Sequence, residues 1–164
     1  MKYDINDCCD KINCRYALGK SGKNMILCIG LNPSTATDKK TDNTFSRIEK
    51  IAENNGYDGF VVLNLYPVRG TKPKNVKFDE KFLPENIAML KKHLDKYPDA
   101  QIWCAWGNNV TRRGFKTCFK EIKGLIEGRD CVCTSITNKE HPVHPLFAAN
   151  NTKLVKFCIK NYNL

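Results

Sequence analysis

Apolar residues fall into short continuous runs separated by stretches in which they recur every three or four positions. Residues 25–29, 60–65, 101–105 and 131–136 are rich in β-branched or aromatic side chains and too short for helices, so they read as buried strands. Their continuous apolar character, without alternation, is what a parallel sheet covered on both faces requires. Helical spacing appears between them. Over 44–54, Phe45, Ile48, Ile51 and Ala52 form one face, and Asn55-Gly56 supplies a stop. Pro84 opens a second helix whose stripe is Ile87, Leu90 and Leu94, ended by Tyr97-Pro98. A third covers 110–126, interrupted by Gly114, and a fourth covers 151–162 with Leu154, Val155, Cys158 and Ile159 on one side.

This alternation predicts a single α/β domain over residues 1–164. Its expected architecture is three-layer α/β/α, with a mostly parallel four-stranded sheet and right-handed crossovers. Residues 66–83 form the one long irregular connection. Connections of that length are often functional, and this one carries Arg69, Lys72, Lys74 and Lys77.

Composition adds partners and compartment. The 27 Lys and Arg against 17 Asp and Glu give a formal charge of +10, which favours polyanions such as nucleic acid or nucleotide phosphates. A Lys-rich solvated surface accounts for it equally well, because the charges form no block. Nine cysteines without an apolar leader segment predict a reduced, cytoplasmic protein. Cys28, Cys104, Cys131 and Cys133 lie in apolar runs and read as core. Cys8, Cys9 and Cys14 are close enough to bind a metal in principle. No second cluster at zinc-ligand spacing accompanies them, so neither metal nor cofactor is expected. No apolar stretch approaches the roughly 18 residues of a membrane span.

In open parallel sheets ligands bind beyond the carboxyl ends of the strands, so the residues after each run are the informative ones. They are polar: Gly30 through Thr35 after the first, Asn64, Tyr66 and Arg69 at and after the second, Trp106-Gly107-Asn108 after the third, His141 and His144 after the fourth. Asn32 stands out, because Gly30 permits close backbone approach and Pro33 fixes the turn. Its amide can hold a water or a base edge; the alternative is that it ties its own turn together. His141 and His144 are candidates for proton donation or for stabilising negative charge. Trp106 could stack on a ligand ring or cover the core, and Arg47 could reach a phosphate or lie solvated. Asp42 reads foremost as a helix cap, otherwise as a ligand group. Walker, GxGxxG, HExxH and GxSxG patterns do not occur.

The string GLNPSTATDKKTDNTFSRIEKIAENNGYDGFVVLNLYPVRGTKP, followed by PEN, AWGNN and HPVHPLF, resembles the family catalogued as domain of unknown function 1643, from about Arg15 to Phe147. More distantly, the order of elements is similar to the uracil-DNA glycosylase superfamily, particularly its mismatch-specific branch. That resemblance implies a uracil-DNA-glycosylase-like fold. It would make Asn32, beside Pro33, the residue that positions water, His144 the stabiliser of the departing base, and Asn64 a base-reading or pocket-lining group. Ser34, Lys39-Lys40 and the FAANN that follows Leu146 depart from the pattern; FAANN lacks the serine and apolar wedge that push a base out of a duplex.

The expectation is a glycosylase-like protein binding a nucleobase or nucleotide and, if an enzyme, cleaving an N-glycosidic bond in DNA or a nucleoside. Asn32, His144 and His141 are the candidate catalytic residues. Gly30, Pro33, Ser34, Asp42, Arg47, Asn64, Arg69 and Trp106 are the candidate binding residues. The alternatives are a non-catalytic nucleic-acid or nucleotide-binding module and an enzyme on a small nucleotide-derived metabolite. All of these require the Asn32 turn and the late histidine segment to share one cavity.

Overall fold

The computed structural model describes residues 2–164. Four apolar runs become β3 (Met25–Gly30), β4 (Gly59–Asn64), β5 (Gln101–Cys104) and β6 (Cys131–Cys133), each hydrogen-bonded in parallel to a neighbour. The sheet is larger and more mixed than the sequence predicts. It has seven strands in the order β1-β2-β4-β3-β5-β6-β7, and β1 (Ile5–Cys9), β2 (Cys14–Lys20) and β7 (Val155–Lys156) all pair antiparallel. A mostly parallel four-stranded sheet therefore describes only its centre. The reason is edge satisfaction: β4 and β6 would each expose a row of unpaired amides and carbonyls, which the N-terminal hairpin and β7 take up.

Helix α1 (Asn43–Asn54) lies on one face and α2 (Leu83–Lys96) and α3 (Arg113–Ile126) on the other. Alternate residues of β3 enter the two cores. Ile26 and Cys28 pack with Phe45, Ile48 and Ile51 of α1, whereas Leu27 and Ile29 pack with Leu90, Phe119 and Ile122 of α2 and α3. Both faces are thus covered, as unbroken apolar strands demand.

Three boundaries differ from the sequence reading. The last run ends as a strand at Cys133, and Ile136 is exposed, bridging only to Pro142. α3 begins at Arg113 behind a 3-10 turn, Asn108–Thr111. The helix expected over 151–162 is absent: β7 and the 3-10 turn Ile159–Asn161 stand there. The amide of Phe157 donates to the carbonyl of Cys131 at 2.9 Å, and Phe157 and Tyr162 pack on Trp106, so edge pairing and an aromatic cluster outweigh local helical periodicity. No helix among the described residues is long and apolar enough to cross a membrane.

Candidate functional site

Because β3 to β6 run parallel, the segments leaving them converge on one edge of the sheet. They enclose a pocket of about 590 Å³. Its wall takes Asn32 and Ser34 from the segment after β3, Gly70 and Pro73 from that after β4, Trp106 to Asn109 from that after β5, and Thr137, His144 and Phe147 from that after β6. No aspartate or glutamate lines it. Asn32 and His144 share this cavity. His141, Asp42, Arg47, Arg69 and Asn64 do not line it, and Asn64 belongs instead to a crevice beneath.

Asn32 is held by one half of its amide. Nδ2 donates to the carbonyls of Gly70 at 3.0 Å and Pro33 at 3.3 Å, with that of Val68 at 3.5 Å. Only an NH2 group suits three carbonyls, so the assignment of nitrogen and oxygen is chemically fixed. Oδ1 accepts nothing from the described residues. Gly70 returns a bond from its amide to the buried Pro33 carbonyl at 2.8 Å, stapling the long connection to the Asn-Pro turn.

His144 precedes the 3-10 turn Pro145–Phe147, and its Nδ1 accepts the amide of Leu146 at 3.2 Å. An acceptor at Nδ1 leaves the proton of the neutral ring on Nε2. Burial pushes this imidazole down to about 4, against the opposing pull of the Asp42 carboxylate, so it is neutral at physiological pH. Gly107, at φ 72°, lies so close that a Cβ on it would meet the His144 Cβ at 3.2 Å, and its amide donates to Pro142 at 2.9 Å. The AWGNN and HPVHPLF segments are thereby locked together.

The crevice, about 20 Å³, shares Asn32, Ser34, Thr44 and His144 with the pocket wall and is lined also by Arg15, Gly30 and Asn64. Arg15, 3% exposed, donates from one terminal nitrogen to the Ala36 carbonyl at 2.9 Å; its Nε and the Nδ2 of Asn64 have no partner. Burial lowers the guanidinium to about 10, against the opposing pull of Asp42, and it remains charged at neutral pH. A side chain on Gly30 would meet Asn64 Oδ1 at 2.9 Å, which explains the glycine. Arg15 was not legible as a site residue, since it sits within the strand β2 that no apolar pattern marks.

The other candidates have structural partners. Asp42 caps α1, accepting the amides of Phe45 at 2.8 Å and Ala36 at 2.9 Å and the Ser34 hydroxyl. Burial alone would raise this carboxyl; the Ser34, Phe45 and Ala36 bonds and the Arg15 charge hold it below the ordinary range. Arg47 donates to the Ala148 carbonyl, tying α1 to the segment beyond His144. Arg69 pairs with Asp10 at 2.9 Å beside a separate shallow depression. Trp106 is 1% exposed and donates to the Tyr162 hydroxyl at 3.1 Å, which lies 2.7 Å from His141 Nδ1. The one hydroxyl thus joins the indole and the imidazole, so His141 serves to orient the wall behind Trp106. Leu146 and Phe147, the latter 84% exposed, form an exposed apolar pair lining the pocket.

Residues 15–146 match the family described as Protein of unknown function (DUF1643). The chain belongs to this family. The DUF1643 match takes in the Asn32 turn, the Trp106 loop and His144, three walls of the pocket. No curated relative and no solved structure matches the chain. Among the described residues no group of three or more His, Cys, Asp or Glu side chains is placed to hold a metal, and Cys8, Cys9 and Cys14 are free.

Proposed function

We propose that this protein binds a nucleobase, as part of a nucleoside or nucleotide, in the 590 Å³ pocket and cleaves its N-glycosidic bond. The observation that carries the reading is the pairing of one free acceptor and one free donor on a single cavity: Asn32 Oδ1 and the Nε2 proton of a neutral His144. An amide oxygen is too weak a base to take a proton. It can hold a water by accepting one of its hydrogens, which turns an oxygen lone pair toward the sugar carbon. As the C–N bond breaks, its electron pair passes to the base, and His144 donates to the base oxygen where that charge collects. A preorganised donor of this kind contributes roughly 3 kcal/mol. Water closes the new C–O bond, and its proton goes to the departing base.

The donors of the crevice extend this reading. Arg15 Nε and His144 Nε2 offer hydrogen and take none, and 20 Å³ holds about one water-sized atom, so the crevice suits a keto oxygen better than an amino group. A uracil-DNA-glycosylase-like fold accords with this chemistry. One observation favours a second reading, a binding module without turnover: the pocket wall has no carboxylate to act as general base.

Base release from nucleosides, nucleotides and uracil- or hypoxanthine-containing oligonucleotides, followed by chromatography, tests the proposal. Release that falls at least about 100-fold in both Asn32→Ala and His144→Ala supports it. Binding without release selects the module, and neither binding nor release ends both readings.

A further inference from the structure

Beside the pocket, across the shared wall of Pro73, lies a groove of about 250 Å³. Its floor and sides are Tyr66, Phe78 and Phe115, and its charged members are Lys74, Arg112 and Arg113. No acidic residue lines it, and none of these three cationic side chains makes an ion pair or hydrogen bond with a described residue. Of the five cations in the connection after β4, Arg69 pairs with Asp10 and Lys81 with Asp79, whereas Lys74 lines this groove.

The groove is built into the fold. A side chain on Gly114 would stand 2.5 Å from Phe78, so glycine there lets the connection lie directly against α3. The Tyr66 hydroxyl donates to the Lys77 carbonyl at 3.2 Å and accepts the Asp79 amide at 2.9 Å, fixing the path of the segment that presents Lys74. Three like charges gathered over aromatic walls repel one another, and an anion between them removes that cost. Guanidinium forks match the paired oxygens of a phosphate.

We propose that the groove bounded by Lys74, Arg112 and Arg113 is a phosphate subsite for the ligand whose base occupies the neighbouring pocket. The inference rests on the base-binding reading and narrows it: the ligand is phosphorylated, and neither a free base nor a nucleoside fills the whole site. The phosphate belongs either to a mononucleotide or to a polynucleotide strand, and affinity distinguishes them.

The test is calorimetric titration of the full chain with the common nucleosides and their 5′-monophosphates, together with anisotropy of a fluorescein-labelled twelve-nucleotide single strand. The proteins compared are wild type, Lys74→Gln/Arg112→Gln/Arg113→Gln and the control Lys50→Gln/Lys120→Gln, the last pair being exposed lysines outside both cavities. Phosphorylated ligands are expected to bind wild type at least about tenfold more tightly than nucleosides, an advantage the triple variant loses and the control keeps. For the strand, the slope of log affinity against log salt falls by about 2 in the triple variant, at about 0.7 per phosphate contact. A gain with monophosphates assigns the mononucleotide; a gain confined to the strand assigns the phosphodiester. Nucleoside binding with no gain from phosphate overturns this inference and leaves the base reading standing. Cation-dependent binding of phosphorylated ligands alone, with nucleosides inert, supports the subsite and removes the base reading. Equal losses in the triple variant and the control, or no binding by any probe, overturn the subsite.

Discussion

The side-chain nitrogen of Asn32 donates to the carbonyl of Gly70 at 3.0 Å, thirty-eight residues further along the chain. This bond orients the residue for chemistry and also clamps the connection after β4, so the two roles separate by substitution. Asn32→Asp keeps the shape but turns a carboxylate toward the carbonyls of Gly70, Pro33 and Val68. It is expected to destabilise the fold by about 1–3 kcal/mol, more than Asn32→Ala does, because it adds repulsion to a lost bond. Thermal unfolding gives the order, and faster amide exchange over 68–76 locates the effect. Equal melting temperatures for the two variants would contradict the clamp.

His144 sets a pH dependence. Its ordinary value is 6.5 and its folded value about 4, so between these the unfolded chain holds the extra proton. Stability is therefore complete above about pH 6.5 and declines as pH falls, levelling off below about 4, with a total loss of at most about 3 kcal/mol. Burial lowers His93 and His141 as well, and they act in the same direction. Urea unfolding at pH 7.0 and 4.5 should show a smaller difference in His144→Gln than in wild type. An unaltered difference removes the assignment of His144 as a partly buried neutral ring.

Gly107 tests the lock between the AWGNN loop and the histidine segment. Its φ of 72° and ψ of −171° belong to a region essentially reserved for glycine, and the added Cβ would crowd His144. Gly107→Ala is expected to cost about 1–3 kcal/mol and to weaken ligand binding beyond that cost by displacing the imidazole. Calorimetric titration at a temperature where the variant is fully folded checks the second part; wild-type affinity there means that the imidazole keeps its place.

Tyr162→Phe removes one hydroxyl that serves two buried groups, leaving the Trp106 indole and His141 Nδ1 without partners. The expected loss is about 2 kcal/mol, accompanied by a change in tryptophan emission. His141→Gln with unchanged base release, set against loss in His144→Ala, confirms that only one histidine acts on the ligand.

Arg15→Met keeps the bulk of the side chain and removes its charge. Burying an unpartnered Nε is costly, so the variant is expected to match or exceed wild-type stability apart from the bond to Ala36, yet to bind keto-bearing ligands at least about tenfold less tightly. Unaltered affinity restricts Arg15 to holding the turn at Ala36.

The patterns that were legible are those in which local spacing and burial agree. The runs that became β3 to β5 and the stripe of α1 bury the very positions their periodicity marks, such as Phe45, Ile48 and Ile51; α2 buries Leu90 and Leu94 but leaves Ile87 half-buried and takes in Asn86 and His93. β2 was not legible, because Cys14–Lys20 is buried through Gly19 although it contains an arginine and a glycine, and only its place between β1 and β4 makes that burial possible. The C-terminal stretch misled for the converse reason: Leu154, Val155, Cys158 and Ile159 have helical spacing, but Val155 pairs with Cys133 at a strand edge.

By itself the sequence determined an α/β chain, its four unbroken apolar strands and the segments that leave their carboxyl ends, because runs apolar on both sides demand a sheet covered on both faces. Tertiary structure alone decided the antiparallel flanks, which of two similar histidines faces the cavity, and that Arg15, Lys74, Arg112 and Arg113 border it or its neighbours. Periodicity reports which side of an element is buried; which distant side chains meet there depends on loops closing across the sheet, and no local pattern encodes that.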